Sequence, residues 1–171
     1  LTLISTVEAG FQGAFMAPTE ILARQHFEFF KPIASKIGIS VDIITGKDTK
    51  SQRALILEKL ETGATNLLIG THALFQNEVK FKNLGYAVID EQHKFGVNQR
   101  LALGDKGAGT NILIMTATPI PRTLTMIGYG DLDISYLTSK LPGRIPIKTK
   151  AISSERIGEV IEGISLSLIH I

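Results

Sequence analysis

The chain has 171 residues, of which 44% are hydrophobic and 20% charged, and it contains no cysteine. That length and apolar content suit one folded domain with a true core, and the missing cysteines exclude disulfides and thiolate metal sites. A formal net charge of +2 excludes a uniformly basic surface, so any contact with a polyanion has to come from local arrangement.

No basic, apolar and small-residue leader opens the sequence, and no apolar run approaches the ~18 residues needed to span a bilayer. The expectation is a soluble cytoplasmic protein without membrane contact. Both ends read as cuts within a longer chain. Leu1 is not Met, and Leu1 to Ala9 reads as the tail of a helix stopped by Gly10.

In chain order, Gly13 to Ala17 reads as a strand, and Pro18 suits the first turn of the helix after it. Leu22, His26, Phe29, Phe30, Ile33 and Ile37 recur at helical spacing and are expected to be that helix's buried stripe. Gly38 ends it. Ser40 to Ile44 is the next strand, Thr45-Gly46-Lys47 a loop, and Ser51 to Leu60 a helix closed by Gly63. Asn66 to Ile69 is a strand followed by Gly70-Thr71-His72. Leu84 to Ile89 and Asn111 to Met115 are two more, the second followed by Thr116-Ala117-Thr118-Pro119. A last strand is expected near Ile147 to Ile152, with Ser153 or Ser154 capping a helix. Ser165 to Ile171 reads as a further strand or a non-native tail, with the tail preferred. Alternating strands and helices predict an α/β fold, doubly wound, with a mostly parallel sheet and helices on both faces.

The strand at Leu84 to Ile89 runs straight into Asp90-Glu91-Gln92-His93. A continuous apolar run reads as a buried parallel strand, and ligands of open α/β sheets bind at the carboxyl ends of such strands. Asp90 there could hold a magnesium ion, and Glu91 could orient or deprotonate an attacking water. The plain alternative is a helix cap at Asp90 with Glu91 solvated in the first turn.

Four other strand-end loops weigh against the plain alternative: Ala17-Pro18-Thr19-Glu20, Thr45-Gly46, Gly70-Thr71-His72 and Thr116-Ala117-Thr118. In a parallel sheet they share one edge with Asp90. Small and hydroxyl-bearing residues with free backbone N–H groups suit phosphate oxygens without reading bases. A GxxxxGK[ST] phosphate loop is absent. Gly46-Lys47 precedes Asp48, and Gly107-Ala108-Gly109-Thr110 has no lysine. Either the function differs or the cradle lies before Leu1, and the second is the better reading. The expectation is that this chain alone does not hydrolyse ATP. The four histidines show no i, i+4 pairing, so a histidine metal site is not expected, nor is His72 expected as a ligand.

Four segments, MAPTEILARQH (Met16 to His26), IGTHALFQ (Ile69 to Gln76), VIDEQHKFGVNQR (Val88 to Arg100) and TATPIPRTL (Thr116 to Leu124), resemble motifs Ia, Ib, II and III of superfamily 2 DNA helicases. Within these the resemblance is to the RecG family, from about Ala9 to Ile164. It implies a RecA-like motor domain over residues 1–140 and a linker leading into a second motor domain over 141–164. It also implies ATP and Mg2+ as cofactors, with branched or forked DNA as partner in repair and recombination. Residue by residue, it implies water-mediated magnesium ligation by Asp90 and water activation by Glu91. Gln92, His93, Thr116, Thr118 and Arg122 would link nucleotide and DNA sites, and Pro18, Thr19, Thr45, Gly46, Gly70 and Thr71 would touch the DNA backbone. Lys94 stands where the family commonly has arginine, which keeps the charge but not the planar fork that a bidentate contact needs. Two other readings are the translocase module of a transcription-repair coupling factor, which shares TATPIPRTL but usually reads DEEH at the acid pair, and a non-catalytic α/β binding module.

Overall fold

Five apolar runs flanked by turn residues become strands in a computed structural model, which describes residues 1–91, 106–107, 109–117, 133–139, 149 and 151–169. The elements are α1 (Thr2–Glu8), β1 (Gln12–Met16), α2 (Glu20–Lys36), β2 (Val41–Ile44), α3 (Lys50–Thr62), β3 (Leu67–Gly70), a 3-10 turn (His72–Phe75), β4 (Leu84–Ile89), β5 (Asn111–Ile114), a 3-10 turn (Ser154–Arg156) and α4 (Ile157–Ile169). The five strands form one sheet in the order β2-β3-β1-β4-β5, and every pair is parallel. This is the expected RecA-like α/β arrangement. Strand limits fall within a residue of those read from the sequence. Among the described residues no helix is long and apolar enough to cross a membrane.

Helix limits follow from local chemistry. The Thr19 hydroxyl accepts from Leu22 N at 3.3 Å, so Thr19 caps α2 and Pro18 lies just before the cap rather than in the first turn. Thr49 and Gln52 close a capping box on α3. Gly63, with φ +83°, ends α3, and Gly10, with φ +84°, ends α1. Both occupy a left-handed conformation that favours glycine.

Alternation along the strands splits the core between the two faces of the sheet. Ala14, Met16, Leu68, Ala87 and Ile89 pack with Ile44, with Leu60 of α3 and with Leu74 of the 3-10 turn. Phe15, Leu67, Ile69 and Val88 pack with Ala23, Phe27 and Phe30 of α2 and with Leu3 of α1. Of the expected stripe on α2, Leu22, His26 and Phe30 face the sheet, but the other half does not. Ala23 and Ala34 are buried, whereas Phe29, Ile33 and Ile37 are 63%, 44% and 52% exposed. Small alanines let the helix backbone approach the sheet, which rotates the larger side chains aside. Phe29 and Ile33, with Ile4, Val7, Tyr86 and Leu113, line an apolar groove of about 360 Å³ on that face.

The amino edge of the sheet is pinned by buried Gln12. Its Nε2 donates to Leu60 O (2.9 Å) and Thr65 O (2.7 Å), and its Oε1 accepts from Asn83 N (2.9 Å).

The chain divides into two units, Leu1–Leu132 and Asp133–Ile171. In the second, the Ser153 hydroxyl accepts from Glu155 N, as expected of a cap. Arg156 donates to both Glu159 oxygens, Nε to Oε1 at 3.0 Å and Nη2 to Oε2 at 2.6 Å. Residues 151 and 152 are not in a strand, and Ser165 to Ile169 are helical. Residues 147, 148 and 150 of the expected last strand lie outside the described residues.

Candidate functional site

The register aligns the ends of all five strands. Met16 pairs with Gly70 and with Ile89, Ile44 with Gly70, and Ile89 with Ile114. The next residue of each strand therefore forms a row: Thr45, Thr71, Ala17, Asp90, Met115. Backbone hydrogen bonds carry the ladder into that row, from Ala17 N to Gly70 O, Asp90 N to Met16 O and Met115 N to Ile89 O, each 2.9 Å. Neighbouring strands lie about 4.8 Å apart, so Thr45 and Asp90, three strands apart, are separated by about 14 Å. Helix α2 leaves β1 for one face of the sheet and the 3-10 turn leaves β3 for the other. Divergent connections of this kind open a crevice outside the carboxyl ends.

Asp90 is the best-anchored charge of the row. Its Oδ2 lies 3.3 Å from His26 Nε2, with the two side chains 20% and 28% exposed. An ionised carboxylate can only accept, so Nε2 carries the shared hydrogen. The imidazole is held in turn by Phe15, ring centroids 4.4 Å apart, and by Phe30 at 6.3 Å. Sequence periodicity read His26 as part of a core stripe. No local signal links it to Asp90, 64 residues later. Glu91 follows with φ +52°, and it is the only non-glycine residue at positive φ among the described residues. A residue with a β-carbon held there is strained, and such strain gathers at functional sites.

On the other side of β1 the row carries hydroxyls. Thr45 is 1% exposed and Thr71 4%. Thr45 N donates to Asp48 Oδ2 and Thr45 Oγ1 accepts from Lys47 N at 3.4 Å, a turn that lifts Gly46 to the exposed tip. Lys47 Nζ reaches Glu20 Oε2 at 3.3 Å, tying this loop to the start of α2, where Thr19 is exposed and Pro18 half-buried. Desolvation pushes the Glu20 carboxyl up, but hydrogen bonds and charges from Arg24 and Lys47 outweigh it and hold the group below the usual value. The Glu20–Lys47 pair is a second contact that sequence order conceals. Thr71 Oγ1 is buried and has no hydrogen-bond partner among the described residues.

Gly70 has a packing duty. A β-carbon there would come within 2.6 Å of Ile44 O and 3.1 Å of Leu74 Cγ. Thr116 is exposed, just beyond β5. Gln92, His93, Lys94, Thr118 and Arg122 lie outside the described residues.

Among the described residues no group of three or more His, Asp or Glu side chains converges as a metal site. Asp90 instead offers a hard oxygen donor with Oδ1 left over after His26 has taken Oδ2. That fits magnesium, which commonly binds through one or two carboxylates plus water and substrate phosphates.

The family model "DEAD/DEAH box helicase" matches residues 1–127. The ATP-dependent DNA helicase RecG of Haemophilus influenzae is 48% identical over 165 residues, covering 94% of this chain and 24% of that protein. The RecG of Aquifex aeolicus is 49% identical over 152 residues, covering 88% and 19%. Among solved structures, RecG bound to a three-way DNA junction aligns with a TM-score of 0.80 and 40% identity over 98% of this chain and 22% of that one. The C-terminal domain of the DEAD-box protein Dbp5, at 14% identity and a TM-score of 0.57 over 76% of this chain and 78% of that one, shares the fold. The chain thus spans about a quarter of the length of the Haemophilus influenzae relative. From the matched model and these likenesses, the chain belongs to the DEAD/DEAH box helicase family, and within it its similarity is to RecG helicases.

Proposed function

We propose that this chain forms most of the first motor domain of a longer ATP-dependent DNA helicase, which translocates on duplex DNA and remodels branched structures such as replication forks and recombination intermediates. In this reading residues 1–140 are the motor, 141–164 lead into a second motor domain, and the protein works in the cytoplasm in DNA repair and recombination. The observation that carries it is the single row at the carboxyl edge of the sheet, with an acid pair on one side of β1 and small hydroxyl and glycine residues on the other. RecG helicases similar over nearly the whole chain support it.

The division of labour follows from the chemistry of the row. Magnesium bound with ATP would screen phosphate charge. Asp90 would offer Oδ1 to that magnesium, and Glu91 would supply a carboxylate to orient the attacking water. Gln92, His93, Thr116, Thr118 and Arg122 would carry the signal between nucleotide and DNA. Pro18, Thr19, Thr45, Gly46, Gly70 and Thr71 line the track for a sugar-phosphate backbone, where hydroxyls and backbone N–H groups grip without reading sequence. Gly70 contributes by shape and backbone.

The test uses the full-length protein that carries this chain. Asp90→Ala should abolish DNA-stimulated ATP hydrolysis while forked-DNA affinity, measured by fluorescence anisotropy, stays within about threefold, a change of about 0.7 kcal/mol. An equal fall in both would make Asp90 a structural residue and remove the basis of the reading.

A further inference from the structure

We infer that His26 is a positioning residue for the nucleotide site: it holds the Asp90 carboxylate in one orientation from outside the acid-pair segment. The inference rests on the reading of Asp90 as the magnesium-side carboxylate, and it gives a site role to a residue that spacing placed only in the core stripe of α2.

Three observations carry it. The His26 Nε2–Asp90 Oδ2 contact at 3.3 Å ties α2 to the residue that follows β4. The ring cannot swing freely, because Phe15 and Phe30 flank it at 4.4 Å and 6.3 Å. α2 is itself fixed against the sheet through Ala23 and Phe30. A carboxylate at a strand end rotates about two side-chain bonds unless something holds it. Occupying Oδ2 with a half-buried donor fixes the carboxylate and leaves Oδ1 over, the arrangement by which outer partners tune a metal's ligands.

Gln and Asn separate the role from simple packing. A glutamine amide nitrogen lies as many bonds from the backbone as His Nε2 and can donate to Oδ2, whereas an asparagine amide is a bond too short. In the full-length protein, without DNA, the affinity of a fluorescent non-hydrolysable ATP analogue is measured with saturating Mg2+ and with EDTA. The ratio of the two affinities is the magnesium-dependent gain. His26→Asn and His26→Ala should reduce that gain by about tenfold, the low end of the effect of removing an outer-shell partner. The affinity in EDTA should be unchanged, and His26→Gln should retain most of the gain. Equal gains for His26→Gln and His26→Asn, whether both high or both low, would overturn the inference, since packing alone would then account for the residue. Asp90→Asn in the same assay separates the two levels. If it removes the gain while every His26 variant keeps it, only the role of His26 fails. If it leaves the gain intact, Asp90 is not the magnesium-side group and the inference falls with that reading.

Discussion

Gly70 and Ile44 meet so closely that the end of β3 admits no side chain: a β-carbon on Gly70 would lie 2.6 Å from the Ile44 carbonyl oxygen. The glycine therefore sets how near β2 and β3 come where the row of strand ends begins. Gly70→Ala should push the strands apart and destabilise the protein by about 1–3 kcal/mol, the usual range for forcing volume into a packed site. Urea denaturation checks it. A variant as stable as the parent would show that β2 yields freely, and Gly70 would then be chosen for contact with DNA rather than for packing.

Thr71, the next residue, poses the opposite case. Its hydroxyl is buried without a partner among the described residues, and an unsatisfied buried polar group costs roughly 1–3 kcal/mol. Thr71→Val keeps the shape and removes the penalty, so stability should hold or rise by up to about 1 kcal/mol. On the proposed function the same change weakens stimulation of ATP turnover by DNA more than basal turnover. Thermal unfolding and ATPase assays with and without DNA measure the two effects. A clear loss of stability would mean that the hydroxyl has a structural partner and is no ligand group.

Much of this was legible from the chain because the informative residues sit next to their strands. Apolar runs ending in Pro18-Thr19, Thr45-Gly46, Gly70-Thr71 and Asp90-Glu91 predicted both the parallel sheet and the edge that carries the polar groups, and register then aligned them. What stayed hidden depends on how elements pack. Periodicity placed Leu22, His26 and Phe30 correctly on the inward face of α2. The face itself is centred on Ala23 and Ala34, because small residues decide how closely a helix approaches a sheet, and Phe29, Ile33 and Ile37 fall outside it. His26 and Asp90 are far apart in sequence and meet only after α2 docks. The strained Glu91 backbone likewise follows from the turn after β4 and has no signature in residue type.

That strain predicts a reversal of the usual glycine penalty. With φ at +52°, Glu91→Gly should be more stable than Glu91→Ala by about 1 kcal/mol, since both lose the same side chain but only glycine relaxes at positive φ. Both variants should lack DNA-stimulated ATP hydrolysis. Chemical denaturation of the pair isolates the backbone effect. An alanine variant equal to or more stable than the glycine variant would show that residue 91 leaves the left-handed region readily.

The opposite edge of the sheet gives a control in which stability and function separate. Gln12 bonds Leu60 O, Thr65 O and Asn83 N, joining the end of α3 and the starts of β3 and β4 at the amino ends of the strands. Gln12→Met preserves the volume but removes the side-chain partner of Thr65 O and Asn83 N in a site 4% exposed, while Leu60 O keeps Gly63 N. Stability should fall by about 2–4 kcal/mol, because buried groups left unpaired lose more than the net value of the bonds. Turnover per folded molecule should be unchanged, since the strand-end row lies at the other edge and its register is held by β1, β3 and β4 themselves. Denaturation together with ATPase activity well below the melting temperature distinguishes the two. A loss of specific activity in the fully folded variant would mean that the amino edge transmits its geometry to Asp90 along β1 and β4, and that the pin at Gln12 is part of the functional site.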